Sequence, residues 1–249
     1  MSSFLRKFAF AAAALSAAAS SAETITVGVR GTVEYNQITS GSLAAVTAGQ
    51  SVTLSFTVDS SNFVNSPNFP TRGYIINAAS FSMTFPTLAV GLANPLPVGQ
   101  TPAFVIRNND PAVDGFLLST NIEFPVGVPL NVNGGFGLFR DNFYVTYGGA
   151  RLPSLDIHDA LGHYDYTGLT VFNFTVDDGP FNPLGVIFTD MDITGCVGDL
   201  DHNGSIGESD LGILLSAWNT SAAGDLDGDG QTSESDLGIF LARWGTVCP

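Results

Sequence analysis

The sequence predicts a mainly β protein: an antiparallel β-sandwich or jelly-roll body over residues 23–195, then a small all-α domain over residues 196–249 built from two loop–helix repeats. Three observations carry that expectation. Apolar and polar residues alternate at period two through much of the body. Glycine and proline, 28 and 13 in number, punctuate those runs. The C-terminal segment then switches to a helical spacing that occurs twice.

The chain opens with Arg6 and Lys7 ahead of an Ala-rich apolar run from Phe8 to Ala19, followed by the small residues Ser20, Ser21 and Ala22. That order is the pattern of a secretory signal peptide over residues 1–22, with cleavage expected near Ala22. The run is shorter than the roughly 20 apolar residues a membrane span requires, and later apolar stretches carry polar interruptions. A soluble exported protein, secreted or held at the cell surface, is expected. After cleavage six arginines face twenty-three carboxylates. So acidic a chain repels phosphate backbones and anionic lipid, which disfavours nucleic acid and membranes as partners and suits divalent cations.

In the body, Ile25, Val27 and Val29 alternate with Thr and Gly, and Val52, Leu54, Phe56 and Val58 alternate through QSVTLSFTVD. Phe81, Met83 and Phe85 do the same in SFSMTF, as do Phe172, Phe174 and Val176 in TVFNFTV. Period two with polar partners describes half-buried antiparallel strands, and eight to ten of them fit the length. The body offers no strong catalytic motif. LPSLDIHDALGHYDY gathers Asp156, His158, Asp159, His163 and Asp165, but histidines five apart neither stack on a helix face nor match a zinc spacing, so a solvated loop is expected. Glycoside hydrolysis needs two carboxylates across a cleft, and Glu34, Asp110, Asp114 and Glu123 have no spacing that pairs them. Phe outnumbers Tyr and Trp, 19 against 6 and 2, and mostly occupies alternating core positions rather than a sugar-stacking platform. A non-catalytic body is therefore expected, with a polysaccharide-degrading or carbohydrate-binding component, or a structural surface or matrix protein, as alternatives.

An offset of 26 residues lays GDLDHNGSIGESDLGILLSAW, from Gly198, over GDLDGDGQTSESDLGIFLARW, from Gly224. Each copy begins with a twelve-residue loop. Asp199, Asp201, Asn203, Ser205 and Asp210 stand at positions 1, 3, 5, 7 and 12 of the first, and Asp225, Asp227, Asp229, Gln231 and Asp236 at those of the second. Calcium takes six to eight oxygen ligands at about 2.3–2.6 Å, and alternate residues of a tight loop can supply them, with Ser205 and Gln231 giving their backbone carbonyls. Gly204 and Gly230 allow the sharp turn. Two Ca²⁺ ions are the expected cofactors. Beyond each loop, Leu211, Leu214, Leu215 and Trp218, and likewise Leu237, Phe240, Leu241 and Trp244, trace one apolar stripe on a helix. Such short helices must pack on one another, and Gly212 and Gly238 are expected to allow their close approach. Cys196 and Cys248 flank the whole unit and, in an exported protein, are expected to form a disulfide.

No helix pattern leads into either loop. A duplicated calcium loop with Asp at position 12, followed by a helix only, resembles the type I dockerin family, an EF-hand-related calcium-binding module of secreted bacterial proteins. The resemblance covers residues 196–249. It implies calcium-dependent folding and docking onto a cohesin-like domain or cell-surface scaffold, with loop positions 10 and 11, here Glu208 and Ser209, and Glu234 and Ser235, selecting the partner. The two copies agree there, so docking in two orientations is implied. Two departures from the family are visible: Thr232 replaces an aliphatic residue at position 8, which is expected to weaken pairing between the loops, and the connection from Asn219 to Ala223 is short, leaving little room for a middle helix.

Overall fold

The computed structural model describes residues 23–179, 182–201, 203–221, 223–226 and 231–248. The expected signal peptide, and the candidate ligands Asp227 and Asp229, lie outside the described residues.

Among the described residues, fourteen strands follow one another: β1 (Thr24–Asn36), β2 (Ser51–Asn65), β3 (Thr71–Ile76), β4 (Ser82–Phe85), β5 (Leu88–Val90), β6 (Ala103–Arg107), β7 (Val113–Ser119), β8 (Val128–Asn133), β9 (Leu138–Asp141), β10 (Tyr144–Gly148), β11 (Gly162–Tyr164), β12 (Leu169–Asn173), β13 (Thr175–Asp177) and β14 (Leu184–Thr194). Two short helices close the chain, α1 (Glu208–Ala217) and α2 (Glu234–Leu241). The expectation of a mainly β, antiparallel body is met, with more and shorter strands than the eight to ten expected. Hydrogen bonding runs without a break through the order β12-β10-β7-β6-β3-β2-β1-β14-β13-β9-β8 in one curled sheet.

The alternation places the core as expected. Ile25, Val27 and Val29 of β1 point inward, and Val27 sits between Phe56 on β2 and Ile193 on β14. Val52, Leu54, Phe56 and Val58, then Phe81, Met83 and Phe85, join the same buried cluster. Gly31 occupies the irregularity between β1 and β14, where a Cβ would lie 2.6 Å from the Ile187 carbonyl oxygen. The run TVFNFTV departs from its expected single strand. It divides at Phe174 into β12, paired with β10, and β13, paired with β9 and β14, so Phe172 is left 38% exposed while Phe174 and Val176 are buried.

Asp141 is one of the polar residues buried against this core. It ends β9 in register with Val128 and Val176, all three fully buried. Burial pushes its carboxyl up to about 8, with only the Phe143 N–H pulling it down. A folded-state value above the unfolded one means that the folded chain binds more protons between the two, so stability falls as pH rises from about 4 to about 8. Asp141→Asn should leave the melting temperature near its parent's at about pH 4 and exceed it increasingly toward pH 9, by about 2 kcal/mol or more of unfolding free energy, in melts followed by circular dichroism.

Candidate metal centre

The C-terminal residues have their own small apolar cluster, in which Ile206, Leu214 and Phe240 are buried and Leu211, Trp218, Leu226 and Leu237 pack partly against them. The helices start at Gly207 and Ser233, which act as caps. Asp210 and Asp236, in the third position of each helix, reach back to accept the cap N–H groups at 2.8 and 2.7 Å. Both aspartates are fully buried. The second oxygen of Asp210 accepts the Leu200 and Asp201 N–H groups at 2.7 and 2.9 Å, and that of Asp236 accepts the Leu226 N–H at 2.6 Å. Each position-12 carboxylate thus ties the start of its loop to the start of its helix.

That duty rotates the helices away from the expected stripe. Asp210, Leu214 and Ala217 face inward on α1, and Asp236 and Phe240 on α2, whereas Leu215, Leu241 and Trp244 are 52%, 55% and 44% exposed. The expected role of Gly212 and Gly238 in helix–helix approach is also corrected, because a Cβ at either would meet no atom of the other helix within 4 Å among the described residues.

In the first loop, Asp199 is buried, accepting the Asn203 N–H at 3.0 Å on Oδ1 and the Gly204 N–H at 2.8 Å on Oδ2. Burial pushes its carboxyl up, against the pull of those two N–H groups. Asp201 accepts from the Asn203 side chain at 2.8 Å, and the Asn203 Oδ1 accepts from the Ser205 N–H and hydroxyl at 3.0 and 2.7 Å. One carboxylate oxygen from each of Asp199, Asp201 and Asp210 lies within 4.8 Å of the others. Oxygens that share a calcium ion at about 2.3–2.6 Å stand at most about 5 Å apart, so this donor set fits the ion. Of the second loop, Asp225 and Asp236 frame the described part, and Gln231 is exposed.

The two loops do not pair through their eighth residues. Instead, Ile206 exchanges hydrogen bonds with the segment after α2, accepting the Gly245 N–H and donating to the Thr246 carbonyl, both at 2.9 Å. Thr232 accepts the Asn219 N–H, after α1, at 3.0 Å. Its hydroxyl donates to the Ser221 carbonyl at 2.8 Å and accepts the Gly224 N–H at 3.1 Å. The threonine therefore has a use in this fold, where an aliphatic side chain could not bond those groups. Cys196 and Cys248 are disulfide-bonded, as expected.

The histidine-bearing stretch does not form one site. His163 on β11 is exposed and meets Asp192 at 2.7 Å. His158, expected in a solvated loop, is instead held between Asp156 at 2.7 Å and Glu23 at 2.9 Å. Burial pulls its imidazolium down, but the hydrogen bonds to those carboxylates outweigh this and raise it to about 9. Glu23 is itself buried and accepts the Cys196 N–H, linking the β body to the repeats. No local sequence signal marks Glu23 for that role, since its partners lie 135 and 173 residues away. Of the other carboxylates considered above, Asp114 accepts the Asn109 and Leu152 N–H groups, Asp110 pairs with Arg107, and Glu123 accepts from Ser66 and Asn68, so these three have separate partners. No family model, curated protein or solved structure matches the chain.

Proposed function

We propose that residues 196–249 form a dockerin-like module that binds two calcium ions and attaches the β body, a non-catalytic sandwich-type carrier, to a partner outside the cell. The observation that carries this reading is the mutual approach of the Asp199, Asp201 and Asp210 oxygens within 4.8 Å, in a loop whose spacing is repeated at Asp225 to Asp236. Asp199, Asp201 and Asp210 hold the first ion together with the Asn203 side chain and the Ser205 carbonyl. The equivalent second-loop residues, Asp225, Asp227, Asp229, Gln231 and Asp236, hold the other.

Docking would use the outward face of the helices. Glu208, Ser209, Glu234 and Ser235 are exposed, and Leu215 and Leu241 follow the glutamates by seven residues, two turns further on the same face. Exposed Gly212 and Gly238 lie between them, so each helix offers a flat strip to a cohesin-like domain or surface scaffold. Because the strip occurs twice, either copy serves. In capture of the cell-surface fraction on immobilised protein, chelator should release the partner; Leu215→Asp or Leu241→Asp alone should leave capture standing, and the double variant should abolish it. Capture that is indifferent to the chelator or survives the double variant would rule this docking face out.

A further inference from the structure

The 26-residue offset that relates the repeats relates both Cys196 and Cys248 to one position, 222, in the connection between them. Loop two is followed back through that connection to Asn219 and Ser221, the residues on which its Thr232 is bonded. The clamp on loop two is thus continuous in the chain with the loop itself. Loop one has its equivalent clamp at residues 245–248, almost the whole module away in sequence. There Gly245 donates to Ile206, Ile206 donates to Thr246, Ser205 and Val247 form an antiparallel bridge, and the Cys248 N–H donates to the Gly204 carbonyl at 2.9 Å. Chain continuity is replaced by the Cys196–Cys248 disulfide, whose Cα atoms are 5.5 Å apart.

Both halves of that disulfide also reach the first ligand position. The Asp199 N–H donates to the Cys196 carbonyl at 3.0 Å, and Asp199 Oδ2 lies 3.5 Å from Cys248 Sγ. Cys196 is in turn fixed to the β body through Glu23.

We infer that the disulfide is a positioning element of the first calcium loop alone, holding residues 245–248 against loop positions 6 to 8 as the chain itself does for the second loop. The inference rests on the calcium reading above. Preorganisation lowers the ordering cost of binding, so cutting the tether weakens the first site and spares the second.

The test uses the full-length mature chain with one loop disabled at a time: Asp225→Ala reports the first loop and Asp199→Ala the second. Calcium affinity is measured oxidised, in the Cys196→Ser/Cys248→Ser background, and after reduction by a phosphine. In that reduction the phosphine becomes its oxide, taking oxygen from water, and the disulfide gains two electrons and two protons as two thiols. The first loop should lose affinity by about tenfold or more, and the second should change by less than about twofold. Equal losses at both loops, or none at either, would overturn the proposal. Hydrogen exchange in the metal-free chain decides it independently of calcium: on reduction the Ile206 and Cys248 amides should lose protection while the Asn219 amide keeps its own. Retained protection at Ile206 and Cys248 overturns the inference even if calcium binds. Absence of binding at either loop in the oxidised chain, with the exchange result as expected, would instead count against the calcium reading.

Discussion

Replacing Asp210 by alanine should abolish calcium binding at the first loop and destabilise the C-terminal module even in chelator. The carboxylate accepts three backbone N–H groups, from Leu200, Asp201 and Gly207, while fully buried. Alanine leaves those donors at the loop start and helix cap without an acceptor, which costs about 2–4 kcal/mol after partial rehydration. Asp210→Asn separates the two effects. Its carbonyl oxygen can keep the Leu200 and Asp201 bonds, but its amide would face the Gly207 N–H with a donor, and the charge needed for calcium is gone. The asparagine variant should therefore melt between the alanine variant and the parent in chelator, yet gain no stability from calcium at that loop. Both tryptophans, Trp218 and Trp244, lie in this module, so their fluorescence reports its melting alone.

Phe240→Ala should unfold the metal-free module. Phe240 is one of three fully buried side chains in its cluster, with Ile206 and Leu214, and it meets Trp244 edge-on at 5.5 Å. Truncating a buried Phe costs about 3–5 kcal/mol, comparable with all that so small a core supplies. The β body has a separate apolar cluster, so its far-ultraviolet signal should persist while the tryptophan signal melts early. Calcium at about a hundred times its dissociation constant returns about 2.7 kcal/mol per site and should restore much of the fold. A melting temperature within a few degrees of the parent's in chelator would contradict this account of the module's core.

Much of the fold was legible because its signals are local. Period-two runs in β1, β2 and β4 correctly placed Val27, Phe56 and Met83 inside. What escaped depends on partners distant in the chain. The split of TVFNFTV at Phe174 follows from pairing with β9 on one side and β10 on the other, which no property of the segment announces. The buried Asp141 looks like any polar residue at a strand end. In the repeats, the carboxylate spacing was readable, but the helix faces were misjudged by part of a turn. The stripe Leu211, Leu214, Leu215, Trp218 considers apolar residues alone, whereas the aspartate at position 12 must also look inward and turns Leu215 out. The same geometry explains why Gly212 and Gly238 touch nothing: they lie on the exposed side, where only a partner would require small residues.

The role of Thr232 shows the same limit. As a departure from an aliphatic pattern it suggests a weakened loop, yet its hydroxyl bonds Ser221 and Gly224. Pairing across the repeats, rather than between the loops, makes that possible.

Calorimetric titration of calcium into the chain from Glu23 onward tests the central claim most directly. The account predicts two ions bound per chain, one after either Asp199→Ala or Asp225→Ala, and none in the double variant. Extracellular modules reach dissociation constants as weak as about a millimolar, so no heat and no saturation at several millimolar calcium, in a chain whose tryptophan signal shows it folded, would contradict it.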